Sequence, residues 1–113
     1  MIVVYIAHPL GSGPDREKNL ANAAKWVAWA AEQGVAPIAD WIVLASQWEE
    51  TTGNRERGIA IDLELVKRCD EIWLCGGRVS PGMAQELHEA TLHGAKVRDF
   101  THLRWEVPED QAA

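Results

Sequence analysis

The most constraining feature of the sequence is a series of short apolar runs that alternate with segments of helical periodicity. Residues 2–7 form a continuous apolar run with β-branched members, which is typical of a strand buried on both faces of a parallel sheet. Shorter segments that are also interpreted as strands follow at residues 35–39, 71–75 and 95–98, and the last two include charged residues. Between the first two, residues 15–33 repeat apolar side chains at helical spacing. Parallel β-α-β units are the economical arrangement of such a series.

Two further helices continue the alternation, one over residues 58–68 and one after residues 80–82. Residues 40–57 remain open between strand, helix and loop. The predicted fold class is α/β: a single-domain flavodoxin-like or Rossmann-like three-layer sandwich with a parallel sheet of four or five strands. We expect residues 1–100 to form this domain and residues 101–113 to form a polar C-terminal tail.

Composition excludes several classes of function. The net charge is −6 and no basic run occurs, so a nucleic-acid polymer is not an expected partner, whereas a nucleotide monomer needs only a small local anion site. No apolar run is long enough to span a bilayer. Cys69 and Cys75 fit no metal or redox spacing and are interpreted as buried free thiols in a reducing, cytoplasmic compartment. No cofactor and no metal are expected.

Loops that follow parallel strands meet at the carboxyl edge of the sheet, where such folds bind ligands. The first of these loops carries His8 and the run Gly11, Ser12 and Gly13, and the loop after the third strand spans residues 76–82. Both loops are rich in glycine and lead into helix N-termini, which favour an anion. The alternatives are an ordinary glycine-rich connection and, for His8, a hydrogen-bonded structural role.

Two carboxylates lie beside predicted apolar stripes. Glu86 flanks the stripe formed by Met83, Leu87 and Ala90, and Asp62 has the same relation to its own helix. If the helices are neighbours, the carboxylates converge on one cleft, and such a pair is what glycosidic bond cleavage needs. The competing interpretations are an acid placed for the helix dipole and the edge of a solvated face.

The chain resembles the nucleoside 2-deoxyribosyltransferase superfamily, which includes the deoxynucleoside 5′-monophosphate N-glycosidases. Tyr5-Ile6-Ala7-His8-Pro9 is similar to the first strand of the family, and Ser80-Pro81-Gly82-Met83-Ala84-Gln85-Glu86 is similar to its S/D-x-G-x-x-x-E segment. Asp62, 24 residues before Glu86 in the sequence, matches the helical aspartate of the family. The resemblance covers residues 1 to 98.

The resemblance implies a retaining, two-step cleavage of an N-glycosidic bond. Glu86 would be the nucleophile, Tyr5 would hydrogen-bond it, and Asp62 would contact the base or sugar and assist proton transfer to the leaving base. Ser80 stands where the transferases have an aspartate. Because a hydroxyl receives a phosphate that a carboxylate repels, Ser80 and Gly82 favour a nucleoside 5′-monophosphate, with Ser12 and Gly13 lining the same anion site.

The chain also departs from the pattern of the family. Gly11 occupies the place of an arginine that the monophosphate glycosidases have, and Arg16 is the nearest substitute. The C-terminal polar residue that completes the transferase site from a neighbouring subunit has no clear equivalent, so hydrolysis by water is expected. A deoxyribosyltransferase that exchanges bases and a non-catalytic nucleotide-binding module are the alternatives.

Six tryptophans are unusual in 113 residues. Trp41 and Trp48 lie in the segment left open, where each could stack on a base or lie in a subunit interface. An interface is the preferred interpretation for Trp29. We therefore expect a homodimer or a higher homo-oligomer.

Overall fold

The computed structural model describes residues 1–108, which form a three-layer α/β domain. The described strands pair in parallel in the order β2-β1-β3-β4, and they are β1 (Val3–Ala7), β2 (Ala36–Ile38), β3 (Glu71–Leu74) and β4 (Lys96–Asp99). The helices are α1 (Arg16–Glu32), α2 (Asp40–Gln47), α3 (Thr52–Val66) and α4 (Pro81–Leu92). The predicted α/β sandwich is confirmed, with four strands, and the strand order is that of flavodoxin-like folds.

The central strand β1 explains why its sequence is apolar without interruption. It pairs with β2 on one side and β3 on the other, so neither of its edges meets water. Val4 and Ile6 pack with Trp26 and Ala30 of α1 on one face. Tyr5 packs on the opposite face, in the cluster that includes residues of α3 and α4. Successive side chains of a strand point to opposite faces, which gives the sandwich its two cores.

Aromatic rings dominate the core on the α1 side of the sheet. Trp29 lies with its ring centroid 5.6 Å from those of Trp26 and Trp73 and 5.7 Å from that of Phe100. The ring of Trp29 thus packs within its own chain and is half-buried, and its place in a subunit interface stays a prediction. Pairs at such distances stabilise a fold by about 0.5–1.5 kcal/mol beyond their buried area.

The segment after β4 differs from the predicted polar tail. Leu103 and Val107 pack against the aromatic core, and the backbone oxygen of Arg104 accepts a hydrogen bond of 2.7 Å from the side chain of Asn22. The expectation is wrong for residues 101–108, because apolar side chains spaced four apart suffice to dock a segment without regular structure. Residues 109–113 of the predicted tail lie outside the described residues.

The segment left open in the sequence forms two helices. α2 begins at Asp40, directly after β2, and α3 begins at Thr52, six residues before the predicted start at residue 58. The side chain of Thr51 caps α3 by accepting a hydrogen bond of 3.1 Å from the backbone N–H of Asn54. Gly53 and the charged residues that follow it do not show apolar periodicity, so the sequence pattern does not indicate this first turn.

Two expectations from composition can be compared with the described residues. Cys69 and Cys75 are free and buried, as predicted. Within residues 1–108, no helix combines the length and apolar character needed to cross a membrane.

Candidate active site

A cavity of about 290 Å³ opens at the carboxyl edge of the sheet, where the sequence predicts a ligand site. The loops after β1 and β3 form one wall, and α2 and α3 form the other. The predicted residues that line it are His8, Gly11, Trp41, Asp62, Ser80, Gly82 and Glu86.

Glu86 lies at the floor of this cavity. Ser80 caps α4 by accepting a hydrogen bond of 3.3 Å from the backbone N–H of Met83, and Pro81 occupies the first turn. This start turns Glu86 inward one turn later, and only 9% of the residue is exposed. The fully buried hydroxyl of Tyr5 donates a hydrogen bond to Oε2 of Glu86, as expected.

The direction of the hydrogen bond between Tyr5 and Glu86 is fixed when Glu86 is ionised. Burial and the charges of Glu86, Asp62 and Asp40 raise the pKa of Tyr5 far above its ordinary value, so the phenol stays protonated. A carboxylate can only accept, and the phenol therefore donates. Burial raises the pKa of Glu86 to about 7, against the opposing effect of this hydrogen bond. Near neutral pH, Glu86 is consequently available in its ionised form.

Asp62 reaches the same cavity from α3 and is 8% exposed. Burial, followed by the charges of Glu86 and Asp40, raises its pKa to about 9. Asp62 is therefore protonated at a pH at which Glu86 begins to ionise. Two carboxyl groups whose pKa values are driven apart are the usual basis for one nucleophile and one proton donor in a single site.

The raised pKa of Asp62 predicts a stability effect. The folded chain keeps the proton up to about pH 9, whereas the unfolded chain releases it near the ordinary value of 3.8. The stability that Asp62 contributes at low pH is therefore lost as the pH rises through this window. We expect Asp62→Asn to melt at least about 4 °C higher than the wild type at pH 8, which corresponds to about 1 kcal/mol.

Differential scanning calorimetry from pH 4 to pH 9 tests this prediction. The gain should shrink towards pH 4, where the unfolded wild-type chain begins to hold the proton as well. Asp15→Asn, at an exposed position, is the matched control and should change the melting temperature little at any pH. A gain that is independent of pH would contradict the assignment of the proton to Asp62.

His8 lines the cavity but is held by the protein itself. Its Nδ1 lies 2.7 Å from the backbone oxygen of Pro9 and its Nε2 lies 2.9 Å from Nδ2 of Asn22. Nδ1 therefore donates and Nε2 accepts, so neither ring nitrogen is free for a substrate. Burial lowers the pKa of His8, which keeps the ring neutral. Of the two interpretations of His8, the contacts favour the structural one.

The first loop contributes less than expected. Gly11 lines the cavity, but Ser12 does not. Gly13 lines a separate, neighbouring depression together with Asp15 and Arg104. The prediction that Ser12 and Gly13 share the anion site needs correction, because the loop turns at Gly11, where φ is +70°, and carries both residues away from the floor.

Trp41 packs in the hydrophobic core and also lines the cavity. It is 8% exposed, and its Nε1 donates a hydrogen bond of 3.0 Å to the backbone oxygen of Ile6. This contact ties α2 to the central strand. Trp48, also in the lining, is more open and lies under the guanidinium of Arg57, 5.6 Å from the ring centroid. Of the two rings, Trp48 is the better placed to stack on a ligand.

Several charged residues line the cavity although no sequence motif predicts a role for them. Arg55, Arg78 and Glu50 border the cavity together with Arg16, which the sequence singled out only as a substitute. Arg16 is held by hydrogen bonds of 3.0 Å to the oxygen of Ala45 and 3.3 Å to that of Gly11. The positions of Arg16 and Arg55 in the cavity wall depend on how α2 and α3 dock, which local sequence patterns do not reveal. Within residues 1–108, no group of three or more His, Cys, Asp or Glu side chains could hold a metal ion.

Comparisons with known proteins agree with the fold. A solved structure of a 2-deoxyribosyltransferase from Bacillus psychrosaccharolyticus superposes with a TM-score of 0.63, at 19% identity, over 94% of this chain and 77% of that one. No curated protein matches the sequence. The family model described as "Domain of unknown function (DUF7768)" matches residues 2–100. The chain therefore belongs to the DUF7768 domain family, on a fold that it shares with a 2-deoxyribosyltransferase.

Proposed function

We propose that this protein cleaves the N-glycosidic bond of a deoxynucleoside 5′-monophosphate by hydrolysis, through a covalent intermediate on Glu86. The observation that carries the proposal is the arrangement at the cavity floor. A buried carboxylate receives a hydrogen bond from a neutral phenol, and a second carboxyl group with a much higher pKa lines the same cavity. These groups supply a nucleophile, its orientation and a proton donor.

In the first step, a carboxylate oxygen of Glu86 attacks C1′ of the sugar while the bond between C1′ and the base nitrogen breaks. The electron pair of that bond leaves with the base, which takes a proton from Asp62. The hydrogen bond from Tyr5 holds Glu86 in line and leaves its second oxygen for the attack. The positive charge that develops on the sugar ring lies beside the carboxylate and is stabilised by it.

In the second step, water replaces the base. Asp62, now ionised, removes a proton from the water as its oxygen attacks C1′, and the bond between C1′ and Glu86 breaks with its electron pair returning to the carboxylate. The products are the free base and the sugar 5-phosphate, and both carboxyl groups regain their starting protonation. Each of the two steps passes through an oxocarbenium-like transition state, and the carboxylate of Glu86 lies beside the sugar in both.

The charges at the rim support a phosphorylated substrate. Ser80 and Gly82 lie in the cavity wall at the N-terminal end of α4, a position that favours an anion. Arg16 and Arg78 also belong to the lining. A phosphate would gain charge-assisted hydrogen bonds from these groups, and for Arg16 it would compete with Glu50, whose Oε1 lies 4.0 Å from Nη1 of Arg16.

Exchange of bases is the second candidate function. It is favoured by the likeness of the fold to a 2-deoxyribosyltransferase. The two functions share the first step and differ only in whether water or a second base accepts the sugar. Base exchange therefore uses the same Glu86 intermediate.

Base release from a panel of substrates tests the proposal. The panel contains deoxynucleosides, their 5′-monophosphates and the matching ribonucleotides, each with and without an added acceptor base, and liquid chromatography separates the products. We expect free base from a deoxynucleoside monophosphate in the absence of an acceptor. A new nucleoside formed only with an acceptor would establish exchange instead. Binding without any product would leave a nucleotide-binding module.

The pKa values of the two carboxyl groups predict a bell-shaped pH profile for kcat/KM. Activity should rise as Glu86 ionises, near pH 7, and fall as Asp62 loses its proton, near pH 9. Steady-state rates measured from pH 5 to pH 10 in buffers of constant ionic strength check this. Tyr5→Phe removes the hydrogen bond that lowers the pKa of Glu86, so its acidic limb should move to higher pH. An acidic limb that stays at the same pH in Tyr5→Phe would show that a group other than Glu86 causes it.

A further inference from the structure

A third carboxyl group lies behind the cavity floor. Asp40 is the first residue of α2, and it does not belong to the cavity lining. Both of its carboxyl oxygens are buried, and among the described residues neither has a hydrogen-bond partner. Oδ1 of Asp62 is buried and unpartnered in the same way. Asp40 is a direct side-chain neighbour of Asp62, so three buried carboxyl oxygens without a partner lie close together and call for a physical explanation.

Two buried carboxylates cannot both stay ionised at low cost. Each would lose its hydration, and the two like charges would repel each other in a medium of low polarity. If one group holds a proton, it can donate that proton to the other. This single hydrogen bond lowers the repulsion and gives two of the orphan oxygens a partner.

We propose that Asp40 is a positioning residue that shares one proton with Asp62, so that the pair delivers and recovers this proton during each turnover. The proposal rests on the proposed function. The ionisable groups that act most strongly on Asp62 are Glu86 from α4 and Asp40 itself, with Tyr5 from β1 beside them, while Arg16, Arg55 and Arg78 line the cavity that Asp62 faces. Because burial and negative charges dominate the surroundings of Asp62, ionisation of both aspartates is disfavoured.

The shared proton gives Asp62 two properties that the reaction needs. Before cleavage, the shared proton lies on Asp62, which is the member of the pair that lines the cavity and faces the substrate. After Asp62 has protonated the departing base, the pair carries two negative charges, and their repulsion makes Asp62 a stronger base. Asp62 therefore recovers a proton from the attacking water, and the pair returns to its singly protonated state.

Carbon-13 NMR titration of the full chain, labelled at aspartate Cγ, tests the shared proton without any substrate. In the wild type, the signal of Asp62, identified from the Asp62→Asn spectrum, should titrate well above the ordinary range. In Asp40→Asn, the new amide can donate to an ionised Asp62, so the Asp62 signal should titrate at least one pH unit lower. Asp40→Ser removes the charge with a smaller side chain and serves as the second variant.

The pH profile of kcat/KM tests the role in turnover. Asp40→Asn should move the alkaline limb down by at least one pH unit, whereas Asp15→Asn should leave it in place. An Asp62 titration that is the same in wild type, Asp40→Asn and Asp40→Ser would overturn the shared proton, whatever the activity. A shifted titration with an unmoved limb would overturn the role in turnover. The Asp62 signal could shift in the Asp40 variants while the wild type releases no base from any substrate. That result would refute the proposed function and would leave the shared proton as a structural feature without a role in catalysis.

Discussion

Glu86→Gln should abolish base release, with a loss of roughly 10³-fold or more in kcat. The amide has nearly the shape of the carboxylate, and its oxygen can still accept the hydrogen bond from Tyr5. An amide oxygen is a poor nucleophile, however, and it carries no charge to stabilise the sugar cation. The loss should therefore appear in kcat with little change in substrate affinity, measured by calorimetric titration with the preferred substrate.

Glu89→Gln is the matched control, because it makes the same change three residues along α4. Glu89 is half-buried and lies 3.8 Å from Nζ of Lys67, away from the cavity lining. It should keep the wild-type rate. A derivative of the preferred substrate with fluorine at C2′ of the sugar should slow the hydrolysis of the covalent intermediate. Mass spectrometry should then find the mass of the fluorinated sugar phosphate added to the peptide that contains Glu86. Retention of more than a tenth of the activity by Glu86→Gln would refute the covalent mechanism.

Gly76→Ala should destabilise the fold by about 3 kcal/mol or more. Gly76 has φ of +90°, and a Cβ there would lie 2.6 Å from both Nε2 of His8 and Cδ of Pro9. Neither neighbour can yield cheaply, since the ring of His8 is hydrogen-bonded on both sides and Pro9 is rigid. We expect a fall in melting temperature of about 10 °C, measured by circular dichroism.

Gly34→Ala separates the two causes of this loss. Gly34 also has a positive φ, of +85°, but a Cβ there meets nothing within 4 Å. It should cost only about 1–2 kcal/mol, from backbone conformation alone. Equal losses for the two variants would show that the loops after β1 and β3 shift apart at little cost to accept the added methyl group.

The fold was predictable where the sequence repeats a simple pattern. Residues 2–7 and 72–75 are apolar without interruption because β1 and β3 are covered on both faces of the sheet. The docking of residues 101–108 was not predictable in the same way. Leu103 and Val107 are isolated apolar residues whose partner, the aromatic core on α1, exists only after the sheet has formed.

The site was predictable in part. Glu86 and Asp62 flank apolar stripes, which is a local property that survives folding, and the structure brings both to one cavity. No sequence pattern singles out Asp40, which begins the segment of residues 40–57 that is open between strand, helix and loop. Its burial follows from the docking of α2 through the hydrogen bond from Trp41 to the central strand, a contact that spans 35 positions in the sequence. No local pattern encodes such a distance.

Tyr5 is the single tyrosine of the chain. A sample labelled with carbon-13 at tyrosine Cζ would therefore give one resonance, from a phenol that is wholly buried against Glu86. A proton gained or lost by Glu86, and a sugar attached to it, would each change the charge that this phenol faces. The molecule thus carries its own spectroscopic probe, which distinguishes the free, protonated and glycosylated states of the nucleophile without any substitution at the site.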